Sequence, residues 1–145
     1  MFMPSQESHR EQAESNEKAA NSIKNTFPDW AVTMCFYAAI HWVERYAKIN
    51  NVDLTKYEIT SPDTSKDKKV SLHTRRFHYV KDIAYDSGNP DLRKAYETLE
   101  KASKTARYLE AIQTNSWLHY SNNSTYVAFS FRHLEIVKKA TKELT

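Results

Sequence analysis

The sequence predicts an all-α fold, an antiparallel bundle of four to five helices, and three observations carry that expectation. There is one glycine in 145 residues. Hairpins, bulges and Gly-rich phosphate loops draw on glycine for positive φ, so a β-rich fold and a phosphate loop are both disfavoured. Apolar residues recur at helical spacing over most of the chain. Breakers are concentrated in a few places, of which Asp86-Ser87-Gly88-Asn89-Pro90 is the clearest. The length suits one domain, 1–145, that buries its core without metals or disulfides.

The first helix is expected from about Ser5 to Asn25. Ser5 and Ser8 offer N-caps, and Glu7 suits the positive end of the helix dipole. His9, Ala13, Asn16, Ala20, Ile23 and Phe27 recur every three or four residues and share a face. A second helix opens near Pro28, a residue suited to the first turn, and runs from Asp29 to about Ile49. Trp30, Met34, Tyr37, Ala38, His41 and Arg45 form one of its faces; Val32, Phe36, Ala39, Val43 and Tyr46 form another. A helix apolar on two faces is buried between neighbours, so this is the central helix, with Trp30, Tyr37 and Trp42 as core residues.

Asn50 to Val70 reads as a charged, mobile connection, with Pro62, Asp63, Thr64 and Ser65 as turn formers. The third helix is expected from Ser71 or Leu72 to Tyr85, with Phe77, Val80, Ile83 and Ala84 inward. The fourth opens at Pro90-Asp91 and carries Leu92, Ala95, Tyr96, Leu99, Ala102, Ala106 and Leu109 at helical spacing. Thr114 to Ser124 reads as a loop whose Trp117 and Tyr120 fold back on the core. A last helix from about Tyr126 to Glu143 turns Val127, Phe131, Leu134, Val137 and Ala140 inward.

Several classes of function are disfavoured by composition. Cys35 is the sole cysteine, so a thiolate zinc cluster and an intramolecular disulfide are impossible; its apolar neighbours make it a packing residue rather than a nucleophile. No apolar run is long enough to span a membrane, and the polar N-terminus is unlike a signal peptide, which points to a cytoplasmic protein. No HExxH pattern or other metal-ligand spacing occurs, and no cofactor is expected. A net charge of +3 permits contact with nucleic acid without arguing for it.

Polar residues on the inward faces are the candidates for chemistry. His41 lies on the Trp30 stripe, four residues after Tyr37. His73 and Arg76 share a face at the start of the third helix. Should these faces meet, His41, His73 and Arg76 form a catalytic set, and Arg107, Tyr37, Arg75, Asn16 and His9 complete a phosphate-binding cleft. Arginine grips phosphate through a planar fork, and histidine moves protons near neutrality. Such a set suits metal-free cleavage of RNA, with a histidine activating the ribose 2′-hydroxyl and an arginine stabilising the phosphorane. The competing account makes His41 a structural histidine and Arg107 half of a surface ion pair with Glu100, Glu110 or Asp91.

Three stretches resemble one family. The run Trp30-Ala31-Val32-Thr33-Met34-Cys35-Phe36-Tyr37-Ala38-Ala39-Ile40-His41 is similar to the YYAAFHA helix of small prokaryotic proteins of the HEPN (higher eukaryotes and prokaryotes nucleotide-binding) superfamily. Leu72 to Val80 is similar to the start of the next family helix, with His73 at the family's histidine. Tyr96 to Tyr108 looks like the family's L-x-x-x-R-x-x-A-D-Y helix, without the acidic residue before the tyrosine. The resemblance covers about residues 9 to 112. It implies a four- or five-helix bundle, frequently dimeric, tied to toxin–antitoxin, antiviral or RNA-processing systems, in which many members are metal-independent ribonucleases. Those members carry an arginine, then four to six residues, then a histidine. No arginine in this chain has that histidine, Arg132-His133 being adjacent. The resemblance therefore leaves two expectations: an RNA- or nucleotide-binding protein, with His41, His73 and Arg76 replacing the usual set, or a non-catalytic module that dimerises or docks on a cognate protein.

Overall fold

In the computed structural model residues 3–59 and 70–143 are described, and every regular element among them is helical. The order is α1 (Gln6–Ile23), α2 (Pro28–Ile49), a 3-10 turn (Leu54–Lys56), α3 (Leu72–Asp86), α4 (Pro90–Tyr108), α5 (Ser116–Ser121) and α6 (Ser124–Glu143). Among the described residues, no helix is long and apolar enough to cross a membrane. Of the connection expected over 50–70, residues 60–69 lie outside the described residues.

Local chemistry sets the helix borders. Ser5, Ser71, Asn89 and Asn115 each accept a hydrogen bond from a backbone N–H three residues on, which caps α1, α3, α4 and α5. Pro28 and Pro90 stand in the first turns of α2 and α4, where a missing N–H costs nothing. Both α2 and α3 end on a residue in the left-handed region: Asn51 at φ 57 and the single glycine, Gly88, at φ 65. The following N–H groups of Val52 and Asn89 reach back to the carbonyls of Ala47 and Ala84.

The core forms around α2, which packs against α1, α4, α5 and α6. Its deepest residues are Ala31, Cys35, Ala38 and Trp42 together with Val32, Phe36, Ala39 and Val43. Leu92, Tyr96 and Leu99 of α4 and Leu134 and Val137 of α6 close over them. A smaller apolar group, Val32 of α2, Ala106 of α4, Tyr120 of α5 and Val127 of α6, joins those four helices. Helices α1 and α2 form one antiparallel hairpin and α3 and α4 another; α3 rests on α4 and on the 3-10 turn.

Four sequence expectations need correction. Trp30 is 54% exposed rather than core. Its stripe with Met34, Tyr37, His41 and Arg45 lies at the margin of the core, because helices dock on the two neighbouring stripes. Phe27, expected on the inner face of α1, is also exposed, since the helix has already ended at Ile23. Leu109 turns outward because it terminates α4 at φ 59. The expected loop 114–124 contains α5, in which Tyr120 is buried with its hydroxyl on the Ala102 carbonyl; Trp117 is half exposed, its indole N–H on the Thr26 carbonyl.

Candidate functional site

The marginal stripe of α2 brings its polar side chains to the start of α3, where two clefts flank the same helical turn. The first, of about 530 Å³, is lined by His9 of α1, by His41, Glu44 and Lys48 of α2, and by Leu72 and Arg76 of α3. The second, of about 360 Å³, is lined by Ser71, the N-cap of α3, by His73 and Thr74 of α3, and by Glu100, Lys104, Arg107 and Tyr108 of α4. The single cleft expected from the sequence is thus two, with His73 and Arg76 at the divide.

In the first cleft His9 and His41 meet Nδ1 to Nδ1 at 2.9 Å. One ring must donate and the other accept, so the pair shares one proton. Burial pushes both imidazoles below their usual range; for His41 the neighbouring His9 adds to the effect, while Glu44 opposes it at both rings. Arg76 is 5% exposed. Its Nε and Nη2 donate to one carboxylate oxygen of Glu44, at 3.0 and 2.8 Å. Its Nη1 faces Nδ1 of His73 at 3.4 Å. Arg76 is therefore neutralised from within the fold and holds His73 in place.

His73 lines the second cleft, where Arg76 does not reach. Since guanidinium has no lone pair to offer, Nδ1 of His73 accepts and Nε2 carries the hydrogen of the neutral ring. Burial, Arg76, Arg107 and Lys104 all push this histidine below its usual range, and Glu100 opposes them. Arg107 is positioned differently from Arg76. Its Nη1 donates to the hydroxyls of Tyr37 at 3.1 Å and Tyr108 at 3.3 Å, and its Nε and Nη2 donate to the carbonyl and hydroxyl of Ser103. The guanidinium also stacks on both rings, 5.6 Å from the Tyr37 centroid and 4.8 Å from that of Tyr108. All four acceptors are neutral, so the positive charge stays uncompensated by them. Of the alternatives weighed for Arg107, an ion pair with Glu100 is not the arrangement seen: Glu100 approaches Lys104 instead, at 3.7 Å.

The remaining candidates fall elsewhere. Tyr37 turns to Arg107 and not into the first cleft with His41. Arg75 donates to the Tyr57 carbonyl, and the Tyr57 hydroxyl donates to Asp82, a clasp that holds Tyr57 against α3. Asn16, half-buried on α1, accepts from Gln12 and lines neither cleft. Sequence reasoning missed Glu44, Lys48 and Lys104. The available signal was spacing: Glu44 and Lys48 follow His41 by three and seven residues, and Lys104 precedes Arg107 by three. Cys35 is fully buried, its thiol pushed up to about 12 by burial. Among the described residues no group of three or more His, Cys, Asp or Glu side chains is placed to hold a metal ion. No protein-family model matches the chain, and neither a curated protein nor a solved structure matches it.

Proposed function

We propose that this chain is a HEPN-like helical bundle that binds RNA or a nucleotide, with a phosphate in the cleft of His73, Lys104 and Arg107. The observation that supports this most is the state of Arg107: a guanidinium oriented by Tyr37, Tyr108 and Ser103, none of which carries charge. Orientation before binding lowers the entropic cost of gripping an anion. One Nη2 hydrogen is unspent, and Tyr108, 64% exposed, can give up its bond to a phosphate oxygen. The Nε2–H of His73 supplies a further donor. Arg76 and His41 serve differently in this reading: Arg76 positions His73, and the 2′-hydroxyl base of a ribonuclease would not be His73, whose free lone pair is engaged.

The test is binding of a labelled RNA oligonucleotide by anisotropy, in EDTA, at several salt concentrations. Wild type is expected to bind with salt-sensitive affinity. Arg107→Ala should weaken binding at least about tenfold at a temperature where circular dichroism shows the variant fully folded, since each charged hydrogen bond contributes about 1.5–3 kcal/mol. Wild type that does not bind, or Arg107→Ala that binds equally well, defeats the reading. Intact RNA after long incubation would make the protein a binder and not a ribonuclease.

A second reading rests on Arg76. A nearly buried ion pair between α2 and α3 fixes how the two helices register, as expected of a non-catalytic module that dimerises or docks on a cognate protein. Sedimentation of the purified chain, alone and with candidate partners, distinguishes it.

A further inference from the structure

The first turns of α1 are held to the bundle by one buried side chain. From Gln6 to Gln12 only His9 is buried; Gln6, Glu7, Ser8, Glu11 and Gln12 are exposed, and Arg10 pairs with Glu7 and Glu14 of its own helix. The next buried residue, Ala13, contributes a single methyl group. Met3 and Pro4, just upstream, join His9 in lining the first cleft. This stretch is therefore one wall of that cleft, fastened at His9.

We propose that the His9–His41 pair is an acid-released latch: while one Nδ1 lacks a hydrogen it closes the first turns of α1 over the cleft, and protonation of both rings opens them. The bond at 2.9 Å exists only while one Nδ1 lacks a hydrogen. The first added proton goes to the free Nε2 of the donor ring and leaves the bond in place; the next puts a hydrogen on the other Nδ1, setting two N–H groups against each other and two like charges in contact. The charged groups facing the pair do not rescue it. Glu44 of α2 already serves Arg76 of α3, Lys48 of α2 adds repulsion, and Asp53, which lines the cleft ahead of the 3-10 turn, is bound to Thr55. Burial acts in the same direction, holding both rings below the usual imidazole range. The latch concerns the cleft that does not contain Arg107, so it stands or falls apart from nucleotide binding.

Hydrogen exchange of the intact chain tests it. Protection of the amides of residues 6–13, corrected for intrinsic rates, should drop at least about tenfold from pH 8 to pH 5, while amides around Leu99 keep theirs. In a His9→Gln/His41→Gln variant, which retains polar side chains but cannot titrate, protection of 6–13 should be equal at the two pH values. A flat wild-type profile, or the same drop in the double variant, overturns the latch. If the double variant does not fold, the ring nitrogen signals of the wild type decide. Two linked steps, the second displaced well to the acid side of the first, support the latch, and two independent titrations near the ordinary value of about 6.5 sink it.

Discussion

Arg76 and Glu44 join α3 to α2 through a single carboxylate oxygen that takes two guanidinium N–H groups, at 2.8 and 3.0 Å. Their side chains are 6% and 17% exposed, so water screens the pair little. Removing one partner strands the other charge. Glu44→Ala should cost about 3–5 kcal/mol in urea unfolding, and a Glu44→Leu/Arg76→Met double variant clearly less. A single-variant cost under about 1 kcal/mol would place the pair in the weak class of exposed ion pairs.

Leu99 of α4 is fully buried against the central helix. Leu99→Ala removes its packing and leaves a void that neighbouring helices fill only in part. The expected loss is about 2–5 kcal/mol, read from the shift in denaturation midpoint at unchanged slope.

Gly88 carries the turn between α3 and α4 at φ 65, and a Cβ there meets nothing within 4 Å. Gly88→Ala therefore tests backbone conformation without a clash. A cost of about 1–2 kcal/mol is expected for an alanine forced into the left-handed region. No measurable cost would mean that the turn relaxes.

Stability should decline with acid through the histidines. His9, His41 and His73 all titrate below their ordinary value in the folded protein, chiefly because of burial. The unfolded chain therefore binds more protons than the folded one once pH falls below about 6.5. The stabilisation from keeping these rings neutral is complete above that pH and is lost as pH drops toward the folded values. Thermal unfolding at pH 7.5 and 5.5 should show a lower midpoint at the acid value, and a Gln substitution at all three positions should reduce the difference, the rest coming from His78 and His133, which burial also holds low.

Cys35 is fully covered in the core, and its thiol is held up to about 12. Iodoacetamide should leave the native chain unmodified at pH 8 for hours and alkylate it at once in guanidinium. Rapid native labelling would show that α2 opens far more readily than a central helix should.

Much of the element plan was legible because its signals are local. Ser5, Pro28, Ser71, Pro90 and Gly88 act within a few residues of themselves, and they stand at the helix ends observed. Helix α5 escaped because six residues hold too little periodicity to read, although Asn115 caps it. The stripe of Tyr37 and His41 was visible as a stripe, yet its depth was not. Periodicity gives the direction in which a side chain leaves its helix, and says nothing about which helix waits there.

What the chain determined alone is its all-helical character, where most helices begin and end, and the central place of the segment from Pro28 to Ile49. Tertiary packing decided the pairings: His9 with His41, 32 residues apart, and Arg107 with Tyr37, 70 apart. Packing also gave Arg76 a carboxylate and left Arg107 with neutral oxygens. Capping and helical period depend on neighbours along the backbone, whereas those contacts arise only when distant helices dock and bury the faces between them.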